Sequence, residues 1–140
     1  MSMRYQIDTG RRLVVAWYEE RFDPAEYAAF TSEIAASPDY RPDFRLLAVI
    51  ASDMDLSNVS FDAMREMQAA EAANLQRPPG TLGVILIENK MGEMLARLYI
   101  DLAASDPNLG TDIRMVSSAA EAADLLGVSL ADFQMPDFAL

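Results

Sequence analysis

The sequence predicts a single α/β domain of order β-β-α-β-α-β-α-β-α, a mixed, mostly parallel sheet with helices packed on it. Three observations carry this prediction. Residues 46–51 (LLAVIA) and 82–87 (LGVILI) are unbroken apolar runs, the pattern of strands covered on both faces. Strand-like and helix-like stretches alternate after the first two strands, which requires crossover connections. Helix-start residues Asp23, Ser60 and Ser118 each stand just before a helix-like stretch.

The elements follow in order. Residues 3–8 alternate, Thr9-Gly10-Arg11 is a turn signal, and residues 13–18 are rich in valine and aromatics; together they read as a β-hairpin. Trp17 and Tyr18 point to opposite faces of a regular strand. Asp23-Pro24-Ala25-Glu26 combines a capping aspartate, a first-turn proline and an acidic residue. Tyr27, Phe30 and Ile34 then share one helix face, and Ser37-Pro38 ends the helix. A loop containing Pro42 leads into the central strand, 45–51.

The polar loop 52–58 follows, and Ser60 caps a second helix whose buried stripe is Phe61, Met64, Met67 and Leu75. Pro78-Pro79-Gly80 stops it. After the strand 81–88, Met91, Met94, Leu95, Leu98, Tyr99 and Leu102 give the third helix an apolar face, broken by Asp106-Pro107-Asn108-Leu109-Gly110. Residues 112–116 alternate as a strand nearer the edge would. Ser118-Ala119-Ala120-Glu121 forms a capping box, and Gly127 sits where a C-cap belongs. The domain is expected over residues 1–127. In the tail, 128–140, Phe133, Met135, Phe138 and Leu140 are too apolar for a free end, so it packs on the domain or crosses to a second subunit.

Composition narrows the function. The 140 residues carry a formal net charge of −11, which repels phosphate backbones and anionic lipid, so neither nucleic acid nor a membrane surface is expected as a partner. With no cysteine and no histidine, there is no thiol nucleophile, disulfide or iron–sulfur cluster, no Ser-His-Asp triad, and no imidazole base or metal ligand. No apolar run approaches the roughly 20 residues that span a bilayer. The N-terminus has no apolar signal core. The expected protein is cytoplasmic, without cofactor or bound metal.

Four stretches, Ile7-Asp8 to Val15, Phe44 to Val59, Gly83 to Ile87, and Val116 to Leu126 with its Ala-Glu-Ala-Ala-Asp-Leu-Leu run, stand in an order that resembles the STAS fold of anti-sigma-factor antagonists, and more closely the divergent SpoIIAA-like group. The resemblance implies a hairpin followed by crossovers and a role in partner binding. In that family a serine in an Asp-Ser-Ser-Gly motif is phosphorylated to break docking. That motif is absent here. One alignment puts Ala63 at the serine and another Asn58, so Ser57 and Ser60 are phosphosite candidates by proximity only.

In parallel sheets, ligands sit beyond the carboxyl ends of the strands, which nominates the loops after residues 51 and 88. Asp53 and Asp55, two residues apart, would suit a hard cation such as Mg2+ or a solvated turn in which aspartate binds its own backbone. Ser60 is a helix cap or a phosphate acceptor at a helix N-terminus. Lys90, the only lysine, stands with Met91 and Gly92 at a helix start suited to an anion. Met54, Met91 and Met94, with Tyr99 or Trp17, would line an apolar pocket for a lipid-like ligand, or simply fill the core.

The expected function is a non-enzymatic regulatory binding module. It engages a protein partner or a small apolar ligand through Asp53, Asp55, Ser57, Lys90 and Met91. The alternatives are a small Mg-dependent enzyme using Asp53 and Asp55, and a structural homodimer.

Overall fold

A computed structural model describes residues 3–106 and 111–133 of the chain. Strands β1 (Met3–Asp8) and β2 (Leu13–Tyr18) form the hairpin, paired antiparallel from Met3 opposite Tyr18 to Asp8 opposite Leu13. Its turn is held by Asp8, whose carboxylate accepts from the Arg11 backbone at 2.9 Å and from the Arg11 guanidinium at 2.7 Å. These bonds, the backbone one first, lower the Asp8 pKa.

Helix α1 (Pro24–Ala36) starts where Asp23 accepts from the Ala25 N–H at 2.9 Å, and it ends at Ser37. Strand β3 (Arg45–Ile50) leads to helix α2 (Phe61–Leu75), capped by Ser60 accepting from the Ala63 N–H. Strand β4 (Leu82–Leu86) leads to helix α3 (Lys90–Ala104), capped by Asn89. Strand β5 (Asp112–Val116) leads to helix α4 (Ala119–Leu126), opened by the Ser118–Glu121 capping box and closed by Gly127 at φ 66°, a conformation glycine adopts without a side-chain clash. The architecture is the expected β-β-α-β-α-β-α-β-α.

The sheet order is β1-β2-β3-β4-β5, with only the first pair antiparallel. The two apolar runs lie side by side and point the same way, Leu46 opposite Gly83 through Val49 opposite Leu86. From β2 onward the strands always step in one direction. Right-handed crossovers on such a sheet put every connecting helix on the same face. Residues of α1, α2 and α3 accordingly pack with Val14, Ala16 and Tyr18 of β2. Helix α4 makes no crossover and covers the other face, where Ala122 and Leu126 meet Leu13, Val15, Trp17, Leu47 and Val49. Trp17 and Tyr18 therefore do point to opposite faces.

A 3-10 turn (Leu130–Asp132) follows α4, and Leu130 and Phe133 are buried against this second face. To Phe133, then, the tail folds back on its own sheet. Met135, Phe138, Leu140 and the helix break at 107–110 lie outside the described residues. Among the described residues no helix is long and apolar enough to cross a membrane.

Two of the expected buried stripes need correction. Phe61 is 48% exposed, and on α3 Met91 and Met94 are 59% and 63% exposed. The residues α3 buries are Gly92, Ala96 and Ala103. The helix turns its small side chains to the sheet and carries its large apolar ones along its flank. Gly92 shows why: a Cβ there would lie 2.2 Å from Ile87 Cδ1 and 3.0 Å from Ile87 Cγ1. Ile87 is buried, and relieving the contact means turning its side chain into the space beneath α3. Gly92→Ala is expected to change stability by no more than about 1 kcal/mol in urea unfolding, the displacement of Ile87 offsetting the gain in helix propensity.

Candidate functional site

Small residues face one another between the sheet and α3. The helix side of the sheet presents Leu46, Ala48 and Ile50 from β3, and Gly83 and Ile85 from β4, and α3 presents Gly92 and Ala96. Helix α2 packs along α1 but touches α3 only briefly. The gap is a cavity of about 110 Å3, walled by Met64 and Met67 of α2 and by Leu95 and Tyr99 of α3. An engineered aliphatic cavity of about 150 Å3 takes benzene, so the space here suits an apolar group somewhat smaller.

One end of the cavity is polar. Glu71, 6% exposed, is the one charged residue that α2 buries. It accepts from the Tyr99 hydroxyl at 2.5 Å and pairs with Arg77 NH1 at 3.6 Å. Arg77 also donates through NH2 to the Leu82 carbonyl at 2.7 Å. The guanidinium lies over Gly83, where a Cβ would meet NH1 at 3.4 Å. Its Nε–H is buried and has no hydrogen-bond partner among the described residues. Tyr27 of α1 stands beside Tyr99. The bonded line Tyr99, Glu71, Arg77 runs from α3 through α2 to the Leu82 carbonyl of the sheet.

Burial raises the pKa of Tyr18, Tyr27 and Tyr99 well above the usual phenol value, and the negative charge of Glu71 raises each further. Tyr40, whose hydroxyl donates to the Leu75 carbonyl at 2.8 Å, is pushed up to about 12, chiefly by burial. These phenols stay neutral across physiological pH. They are suited to hold a ligand and not to exchange protons with one.

The loops after β3 and β4 do come together at one end of the sheet. Asn89 donates to the Ser52 carbonyl at 2.7 Å. The loop after β3 is also strapped to the loop after β2: the Phe22 N–H donates to the Asp55 carbonyl at 2.9 Å, and the Asp55 N–H to the Glu20 carbonyl at 2.7 Å. From these loops Leu56, Val59 and Gly92 reach the cavity. The polar residues nominated from sequence do not: Asp53, Asp55, Ser57, Ser60 and Lys90 are exposed.

The Asp55 carboxylate accepts from the Ser57 N–H at 2.9 Å and faces Arg21. Hydrogen bonds from the Ser57 hydroxyl and backbone lower its pKa, with help from Arg21. Among the described residues no three acidic side chains gather as a metal site would need, so a Mg2+ reading rests on Asp53 and Asp55 alone. Of the expected pocket residues, Tyr99 lines the cavity. Trp17 is on the opposite face, Met54 is buried in the core beside the cavity without lining it, and Met91 and Met94 are on the surface.

Glu71, Arg77 and Tyr27 did not figure among the nominated residues. Glu71 was detectable: it continues the 64, 67, 71, 75 stripe as its only charge. Arg77 lies beyond the helix and carries no periodic signal. In comparisons with known proteins, the chain matches no family model, no curated protein and no solved structure.

Proposed function

We propose that the chain is a cytoplasmic, non-enzymatic regulatory module of STAS-like type that binds a small apolar ligand between its sheet and helices α2 and α3. The observation that carries this is the cavity itself: an apolar space of about 110 Å3 between sheet and helices, lined also by the polar side chains of Glu71, Arg77 and Tyr99, the usual make-up of a ligand site. The hairpin followed by same-face crossovers supports the STAS-like reading.

No switch point interrupts the strand order from β2 to β5, so the sheet offers no crevice of the kind that holds nucleotides in doubly wound folds. The space under α3 takes that role. Leu56, Val59 and Gly92 reach the cavity from the two strand-end loops, so an occupant pushes on the surface that carries Asp55, Ser57 and Lys90. The exposed Met91, Met94 and Leu98 on the flank of α3 support a protein partner that reads this surface.

Ala48→Leu tests the ligand site. Ala48 faces the cavity from β3, and three added carbons fill much of the space. The variant is expected to gain about 0.5–2 kcal/mol, as cavity filling commonly gives. It is also expected to lose binding of xenon, followed by the NMR shift of the dissolved gas. A xenon shift of equal size in the parent and the variant would refute the site.

A further inference from the structure

We propose that the flank shared by α2 and α3 docks a cationic amphipathic helix of a partner protein. This rests on the reading of that flank as a partner surface and names the chemistry of the partner; it does not depend on what fills the cavity. Four of the five large apolar side chains exposed among the described residues, Phe61, Met91, Met94 and Leu98, lie on these two helices. The bond from Gln68 Nε2 to the Tyr99 carbonyl, 2.8 Å long, sets α2 beside α3. Phe61 shares a helix row with Met64 and Gln68, and Met91 shares one with Leu95 and Tyr99. Two turns toward the N-terminus of each helix from that bond, Phe61 and Met91 stand at one level. Met94 and Leu98 carry the apolar strip down α3, over about 10 Å from Met91 to Leu98.

The helical walls decide how a partner is read. Their backbone groups are bonded within the helices, so an extended strand has no edge to join here and recognition falls to side chains. Apolar groups spread along about 10 Å match one face of a helix with anchors at i, i+3 or i+4, and i+7. Unbranched methionines adapt their shape to such a face.

Charge decides which helix. Residues 52–68 and 88–102 frame the strip and carry seven acidic side chains against the three cations Arg65, Lys90 and Arg97. All seven are exposed or half-exposed. Among the described residues only Asp55 of the seven is in an ion pair, with Arg21 at 3.9 Å. Arg65 is turned over the Phe61 ring, 5.9 Å from its centre. The remaining carboxylates stand beside an apolar strip without a counter-charge, and a basic helix supplies one. A second copy would set the same carboxylates face to face, in a chain of net charge −11, and is repelled.

The test uses the full chain at about 0.15 M salt and three synthetic peptides of about 14 residues. One is a Leu/Lys peptide with its leucines on one helix face, the second a Leu/Glu peptide of the same pattern, and the third the Leu/Lys composition in an order that scatters the leucines. Methionine methyl NMR reads the site. The patterned Leu/Lys peptide is expected to shift Met91 and Met94 and to leave Met3, buried in the hairpin, unmoved. The other two are expected to bind at least about tenfold more weakly. Met94→Gln/Leu98→Gln alters exposed side chains only and is expected to weaken the patterned Leu/Lys peptide by about tenfold.

Equal binding of the Leu/Glu peptide at Met91 and Met94 overturns the cationic assignment and leaves the flank as a partner surface. Equal binding of the scattered peptide overturns the helix. Leu/Lys binding that leaves Met91 and Met94 unmoved, or that survives the double substitution, overturns the site. A dimer in sedimentation of the chain alone, split by the double substitution, makes a second copy the occupant and overturns the proposal. If no peptide binds, the proposal and the partner reading fall together, while the xenon measurement decides the cavity separately. Should the double variant not fold, the comparison of the three peptides on the unaltered chain decides.

Discussion

An Arg77→Met chain is expected to lose about 3–5 kcal/mol of stability, because the substitution strands the Glu71 carboxylate in a dry site without its counter-charge. The two side chains are 4% and 8% exposed, so water cannot replace the missing partner. The pair itself is not the source of stability. At 3.6 Å its attraction does little more than offset the cost of removing two charges from water, and well-packed uncharged replacements for such pairs are often neutral or better.

It follows that Arg77→Met/Glu71→Gln should recover most of the loss, since glutamine still accepts from Tyr99 and carries no charge. Urea unfolding of the two single variants and the double variant measures this directly. A loss below about 1 kcal/mol for Arg77→Met would fit an exposed pair and contradict the burial on which the polar end of the cavity depends.

The second large effect is alkaline unfolding. Tyr18, Tyr27, Tyr40 and Tyr99 all have raised pKa values in the folded chain. Below the ordinary phenol value near 10, both the folded and the unfolded chain keep these protons, and the stabilising contribution is complete. As pH rises past 10 the unfolded chain releases protons that the folded chain retains. Stability then falls with pH, and the Tyr40 contribution is spent once pH passes about 12. The expected result is a cooperative transition that begins above pH 10, with tyrosinate absorbance and loss of helical circular dichroism rising together. Titration of all the tyrosines near pH 10 while the helices persist would show the phenols to be solvated.

The order of elements was legible because each local signal agreed with the global fold. The caps at Asp23, Ser60 and Ser118, and Gly127 after α4, each adopt the role their chemistry favours, the consistency across levels that marks a foldable sequence. The site was less legible. Helical periodicity tells which side of a helix is apolar but not which part of that side meets the sheet. On α3 the sheet takes Gly92, Ala96 and Ala103, so Met91, Met94 and Leu98 end up at the surface. A cavity made by small residues on separate elements, Ala48, Gly83, Gly92 and Ala96, leaves no mark in any one segment. Nor does a bonded line whose members lie at positions 71, 77 and 99. The polar loop residues drew notice because they carry recognisable chemistry, whereas Leu56 and Val59 beside them reach the cavity.

The most direct test of a ligand site beneath α3 is methyl NMR of the full chain titrated with cyclopentanone. The account predicts shifts centred on Met64, Met67, Ile85 and Leu95, with Met91 and Met94 unmoved. Shifts confined to Met91, Met94 and Leu98 would move binding to the outer flank of α3, and would contradict it.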